Sequence, residues 1–504
     1  MPPAPDRVEA ALRRAHAALG VPDRDALGAD EYNVFLKYLL LQGLDRSETR
    51  YWRTRWKQGD CPALRERLRV DLPALQACME MRDGAVWAKT DADLYRERVI
   101  DLAVEAVLSE PLAPELCIKT AAMDQRSLCV ALPGEWRHAL IFASPYFFSH
   151  EFYPLAVDAY THDVEKFGTS RISVIGAHID WLTGDGRLKR VIHADFSSGR
   201  LIETVLDAPL QADSVQFLCL GRQEQAIHRQ LSGRFTCLQV NPAPVSALAD
   251  DKSATFNGWS ALGVTVPPSL EIAPGDFAAA FAFLETNAAI VIKPNRATEG
   301  LDVAYFQRGH AQTASALKRH LEHCWQTGSV IAQQRRDSVF FRDPATGAAH
   351  TLALRLNLCA DGYGKYYLES GYAQLGADIQ HPAACGQGGR ILAIHEVLPH
   401  LYTGNAEIYK PVTLGSEDWC NIRRQAELAA GLFNGLLLVG LDVLLDISDS
   451  GHIVPVVLEA NPRPAGLSHS RLLTEDPFEA AEIGVSLRLW DTLNTTAQAA
   501  VKIK

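Results

Sequence analysis

Residues 456–467 read VVLEANPRPAGL: an apolar run that stops at Glu459, Asn461 and Arg463, with a proline on either side of the arginine. In an extended strand side chains alternate between faces, so Glu459 and Asn461, one residue apart, point the same way. Upstream, GLDVLLDIS at 440–448 reads as a second strand, joined to the first by the turn SDSG at 448–451. A hairpin of these two strands brings Asp442 and Glu459 to neighbouring positions, with Asp446 an alternative on the face of Asp442. Two carboxylates and an amide oxygen on one face are the hard oxygen donors that Mg²⁺ takes when it also binds nucleotide phosphates.

A second polar group sits at the end of another apolar run. In AAIVIKPNRATEGLDV, at 288–303, Lys293 closes a strand and a small polar loop ending in glycine follows. A half-buried lysine is costly without an anion, and a phosphate is a suitable partner, with backbone N–H groups from Ala297 to Gly300 closing over it.

The rest of the sequence sets the frame. The chain has 504 residues, 47% apolar and 22% charged, which allows about three folded domains. Acidic residues outnumber basic ones 60 to 49, for a net charge of -11, and no basic block marks a nucleic-acid partner. Ten cysteines lie scattered without a CxxC pair, which fits reduced thiols of a cytoplasmic protein and neither a disulfide framework nor a zinc site. No apolar run approaches the roughly 20 residues of a membrane span, and the N-terminus lacks the apolar core of a signal peptide.

Residues 1–134 carry helical periodicity in stretches such as VEAALRRAHAAL and ADLYRERVIDLAVEAVL. From 135 to 245, runs such as RHALIFASPYFF and RISVIGAHIDWL, separated by GDG and SSG, predict an α/β layer with a largely parallel sheet. Residues 246–490 read as antiparallel strands with helices, including a long helix over 416–436. The tail TTAQAAVKIK reads as a frayed end.

Taken in order, these signals resemble the ATP-grasp superfamily over about 246–485. ADDKSATFNGWSALGVTVPPS resembles its opening helix, AIVIKP its phosphate-binding lysine strand, VIAQQRRDS its adenine-binding hinge and TLALRLNL the strand with an arginine. HPAACGQGGRI resembles a glycine-rich loop near the acceptor, and LEANPR the metal-binding hairpin of carboxylate–amine ligases. The fold that follows is α/β and α+β multidomain: a helical N-terminal region, an α/β pre-grasp domain at 135–245 and a C-terminal ATP-grasp fold at 246–490, with its lid at about 288–335.

The resemblance implies that Lys252, Lys293 and the loop Thr298, Glu299 and Gly300 contact ATP phosphates, and that Gln333, Gln334 and Arg335 line the nucleotide. It implies Mg²⁺, with Mn²⁺ as an alternative, on Asp442, Glu459 and Asn461, and Arg355 and Arg463 facing the phosphoryl group. Gly388, Gly389, Ser468 and His469 are candidates for the acceptor pocket. The implied reaction is ATP-dependent joining of a small-molecule carboxylate and amine through an acyl phosphate. A small-molecule kinase and an ATP-binding module without turnover are the alternatives. For the N-terminal region two readings stay open, a wall of the substrate pocket and a homodimer interface.

Overall fold

The computed structural model describes residues 121–142 and 152–503, apart from short stretches at 197–199, 219, 221–223, 297–301, 310–312, 385–388, 405–407, 449, 465, 474–476 and 480–486. The helices expected over residues 1–120 and the loop residues Thr298, Glu299, Gly300 and Gly388 lie outside the described residues. The chain divides into two units, Met1–Gln239 and Val240–Lys504.

In the first unit a seven-stranded sheet has the order β1-β5-β4-β3-β2-β6-β7, formed by β1 (Ala121–Met123), β2 (Trp136–Phe142), β3 (Ile172–His178), β4 (Leu188–Asp195), β5 (Arg200–Leu210), β6 (Ser214–Phe217) and β7 (Leu238–Val240). The sheet is mixed. β2 runs parallel to β3 and β6, and β1 to β5, while β4 is antiparallel to both its neighbours. The expectation of a largely parallel sheet is corrected by the short links flanking β4, which permit a hairpin but not a crossover. β1 places a strand inside the stretch read as helical, just ahead of the helix Gln125–Ala131, because a three-residue strand carries no usable periodicity.

Two antiparallel sheets make up the second unit. The smaller has the order β10-β9-β11-β8, from β8 (Ser269–Ile272), β9 (Ala289–Pro294), β10 (Ala304–Gln307) and β11 (Val330–Gln334). Helices Phe277–Thr286 and Thr313–Cys324 bury Ala280, Leu284, Leu317 and Leu321 against it. This small lobe begins at Ser269, earlier than the 288 read from sequence.

The larger sheet holds nine strands: β12 (Val339–Arg342), β13 (Ala349–Ala360), β14 (Tyr366–Leu375), β15 (Arg390–Leu392), β16 (Leu401–Gly404), β17 (Tyr409–Val412), β18 (Leu438–Ile447), β19 (Ile453–Asn461) and β20 (Arg471–Leu472). At its centre β13 pairs with β14 on one edge and with β12 and then β18 on the other, and β18 pairs with β19. Strict alternation sorts its side chains. Leu354, Leu356 and Leu358 of β13, and Leu441, Val443 and Leu445 of β18, enter the core with Trp259, Trp419, Ile422 and Phe433. Helices Lys252–Ala261 and Ser416–Ala430 cover that face, linked by Trp259 Nε1, which donates to the Ala429 carbonyl at 2.9 Å. The second helix stops at Ala430 where sequence periodicity suggested 436, since the turns around Gly431 and Gly435 intervene, the latter with φ of 98°. Helix Leu487–Ile503 runs into the stretch read as a frayed end; its first turns bury Leu489, Trp490 and Leu493, and Glu369 accepts from its Arg488 N–H at 3.1 Å.

Candidate nucleotide and metal site

The polar face of the larger sheet is built by the same alternation that builds the core. Register places Tyr372 of β14 opposite Arg355 of β13, Arg355 opposite Asp442 of β18, and Asp442 opposite Glu459 of β19. The next row runs Ser370, Asn357, Gly440, Asn461. A register shift between Asp442 and Val443 falls beside the carboxylates, a common place for a bulge that re-aims side chains.

Asp442 is held by a fork. Arg355 donates to it through Nε at 2.5 Å and Nη2 at 3.1 Å, Gln374 Nε2 donates at 3.2 Å, and Asn461 Nδ2 lies at 3.4 Å. Burial works against the Arg355 cation, but Asp442, with Tyr372 and Glu459, more than offsets it and raises its pKa above the ordinary arginine value. Glu459 pairs with Lys252 Nζ at 3.3 Å. Burial opposes its charge too, yet Lys252 and Lys293 keep its carboxyl below the usual glutamate range.

Lys293 comes from the small lobe. It is 4% exposed, its Nζ lies 3.4 Å from the Leu458 carbonyl, and it sits 5.3 Å from the ring centre of Phe256. Burial pulls its pKa down to about 8, with Glu459 pulling the other way and Lys252 adding to the fall. In this cluster three cations, Lys252, Lys293 and Arg355, face two carboxylates, so the site carries a surplus of positive charge where an anion would be bound.

Three consecutive residues knit the cluster together. Asp251 caps helix Lys252–Ala261 by accepting from Ala254 N–H at 3.1 Å and pairs with Arg296 at 2.7 Å, just past the Lys293 strand. Lys252 turns to Glu459. Asp250 takes Arg463, whose side chain is 1% exposed, in an ion pair just beyond the open end of the hairpin. Arg463, expected from the sequence to face the phosphoryl group, makes this buried pair in the structure.

The hinge read from VIAQQRRDS joins the two sheets: β11 ends at Gln334 and β12 begins at Val339. Gln333 is 1% exposed and donates through Nε2 to Ser269 Oγ at 3.0 Å. Arg335 stacks over Tyr305 at 4.4 Å and pairs with Asp337 at 2.6 Å. Arg336 and Ser338 both bind Asp446, so that carboxylate fastens the hinge to β18 and is not part of the Asp442 group.

Of the acceptor candidates, Ser468 and His469 lie in the short turn Leu467–His469 after the hairpin, where the His469 ring meets Tyr372 edge-on at 6.4 Å. Gly389 sits against backbone: a Cβ there would come within 2.2 Å of the Leu375 carbonyl oxygen. Gln374, Tyr372, Asp250 and Asn241 belong to this assembly and were not singled out from sequence. Only Asp250, beside Lys252 in ADDK, had a local signal.

Among the described residues no group of three or more His, Cys, Asp and Glu side chains is placed to hold a metal ion, so any cation here would rest on two carboxylates and an amide. No helix among them is long and apolar enough to cross a membrane. A small lobe presenting a lysine strand, a hinge, and a larger sheet ending in a carboxylate hairpin follow one another in the C-terminal unit in the order that the resemblance to the ATP-grasp superfamily implies.

No family model and no curated protein matches the chain. Solved structures similar to it include the D-cycloserine synthetase DcsG, at 18% identity over 71% of this chain and 99% of that one, with a TM-score of 0.43. The VanG D-Ala:D-Ser ligase of Enterococcus faecalis is similar at 16% identity over 72% and 99%, TM-score 0.42. The ATP-grasp ligase PsnB, complexed with a minimal precursor, matches at 13% over 72% and 99%, TM-score 0.40.

Proposed function

We propose that this protein is an ATP-dependent ligase that activates a small-molecule carboxylate as its acyl phosphate and joins it to an amine, with release of ADP and phosphate. The observation that carries this reading is the row Arg355, Asp442, Glu459 on one sheet face, met by Lys252 and by Lys293 from the smaller lobe. No nucleophilic side chain is needed, because phosphoryl transfer depends chiefly on positioning and on cations that absorb developing charge.

In this reading Lys252 and Lys293 bind the ATP phosphates, and the hinge at Gln333, Gln334 and Arg335 lines adenine and ribose. The oxygen donors of Asp442, Glu459 and Asn461 fit Mg²⁺ or Mn²⁺: all are hard, and the two carboxylates stand in register across one hairpin. A bound Mg²⁺ supplies charge that offsets the phosphate oxygens. Arg355 presents a guanidinium beside those ligands, suited to the phosphoryl group. Arg463 is the second guanidinium proposed for the phosphoryl group; its pair with Asp250 holds it beside the open end of the hairpin that carries Asn461. The turn with Ser468 and His469, beside Tyr372, and the loop with Gly388 and Gly389 are the proposed acceptor side. A cytoplasmic setting fits an ATP-consuming enzyme whose cysteines Cys129, Cys237, Cys324 and Cys420 stand as thiols.

The test is ATP turnover against a panel of carboxylates paired with amines, with products read by mass spectrometry. ADP with an amide supports the ligase. AMP, or a phosphorylated alcohol without amide, overturns it.

A further inference from the structure

Asn241 lies outside every catalytic role above, yet it grips the open end of the hairpin that carries Glu459 and Asn461. Its side chain is 3% exposed. Nδ2 donates to the carbonyls of Leu438 and Pro462, and Oδ1 accepts from the N–H groups of Leu437, at 2.8 Å, and Leu438, at 3.3 Å. These groups sit at the start of β18 and directly after the last residue of β19. The ladder between the strands ends at Gly440 and Asn461, and the next residue of β19 is Pro462, which has no N–H to continue it.

The side-chain amide therefore stands in for the missing rung, presenting two N–H donors and an acceptor oxygen where a peptide group would offer one of each. Its backbone is adapted to the position, with φ at 57°, a conformation that asparagine tolerates better than most residues. We infer that Asn241 is a positioning residue for the nucleotide–metal site, fixing the hairpin end so that Asn461 and Glu459 keep a common direction. This rests on the reading of that face as a metal-binding site. Partners of metal ligands that fix ligand direction commonly matter to affinity by one to two orders of magnitude.

The experiment uses the full chain and Mn²⁺ with ADP as the probe, with free Mn²⁺ counted by electron paramagnetic resonance. Asn241→Gly keeps the backbone conformation and removes the amide. Asn241→Asp keeps the acceptor and loses both donors. Both are expected to weaken Mn²⁺·ADP binding by about tenfold or more. Ile422→Ala, a fully buried change in the covering helix, serves as the destabilised control and is expected to keep wild-type affinity. Amide exchange at Leu437 and Leu438 should quicken in the Asn241 variants and not in the control. Wild-type affinity in a folded Asn241 variant, or an equal loss in Ile422→Ala, overturns the positioning role. If Asn241→Gly does not fold, Asn241→Asp carries the same comparison. Failure of the wild type itself to bind Mn²⁺·ADP is a separate result, which overturns the site reading and this inference together.

Discussion

Asp442 and Glu459 face each other across the β18–β19 hairpin, the first forked by Arg355 and the second paired with Lys252. Each carboxylate thus has its own cation, and the cations come from different parts of the unit: one from the neighbouring strand of the sheet, the other from the first residue of helix Lys252–Ala261. The consequence is that removing either carboxylate leaves a buried positive charge without its partner as well as removing an oxygen donor. Asp442→Asn and Glu459→Gln are expected to lower ADP release by at least about a hundredfold, because both ligand and charge balance are lost. A coupled assay for ADP checks this. Turnover within a few fold of wild type in either variant would remove that residue from the site.

Gly440 is where the two polar rows need close backbone approach. A Cβ there would lie 3.0 Å from Pro464 Cβ and 3.1 Å from Arg355 Cδ. Pro464 has little freedom to move, and a shift of Arg355 disturbs the fork on Asp442. Gly440→Ala should cost about 1–3 kcal/mol of stability by overpacking and also lower turnover. Urea midpoints and initial rates measure the two effects, and unchanged values for both would show that the contact relaxes freely.

If Lys293 binds nucleotide as proposed, its lowered pKa gives that binding a pH dependence with a definite sign. On the proposed function its charged form is the one that holds phosphate, so affinity should be constant below about pH 8 and fall as pH rises through that value. Above it the loss approaches about tenfold per pH unit for a single titrating group. The stability term runs the opposite way, since between pH 8 and the ordinary lysine value of 10.5 the unfolded chain binds more protons, and stability rises with pH. ADP titrations from pH 6.5 to 9.5 test the binding half. Lys293→Arg should flatten the profile, because arginine stays protonated. A wild-type profile flat to pH 9.5 would rule Lys293 out as the titrating contact.

How much of this was readable beforehand depends on the range of the contact. The hairpin was legible because alternation in LDVLLDI and VVLEAN is a local signal and the turn between them is short. Lys293 at a strand end was legible for the same reason. Arg355 on Asp442, 87 positions apart, and Arg463 on Asp250, 213 apart, were not, because which strand lies beside which is fixed by the sheet order. From the sequence Arg463 reads as a fork for the phosphoryl group or the substrate carboxylate, and nothing near it announces the pair with Asp250. Gln374 and Tyr372 were invisible for want of the register that aligns β14 with β13. The family resemblance supplied roles for Lys252 and the hinge that spacing alone would not have.

Glu369 offers a check on the tail. Burial raises its carboxyl from the ordinary value to about 7, while Arg488, at 3.0 Å and through its N–H, only partly opposes that rise. The folded chain therefore holds an extra proton between pH 4.5 and 7, and stability from this group falls as pH rises across that window. Glu369→Gln removes the titration, so the melting temperature of wild type relative to the variant should decline from pH 4.5 to 7. A constant difference across that range would contradict the assignment.

Asp446 separates fastening from ligation. It lies four residues after Asp442 on the same strand, and from sequence either could be the metal carboxylate. In the structure it is 7% exposed and takes Arg336 and Ser338 of the hinge, while Ile447 N–H donates to Ser338 Oγ at 3.0 Å. Its charge is spent on holding the crossing between the two sheets. Asp446→Asn keeps the shape but weakens a charged hydrogen-bond pair, for a loss of about 2 kcal/mol in stability. Affinity for Mn²⁺·ADP should stay within a few fold of wild type once the variant is folded, whereas Asp442→Asn should lose affinity with a smaller change in the ties between the sheets. The comparison is made on both variants at one temperature, with urea midpoints and Mn²⁺ titrations side by side. If Asp446→Asn abolishes metal binding at unchanged stability, the two carboxylates have been assigned the wrong way round.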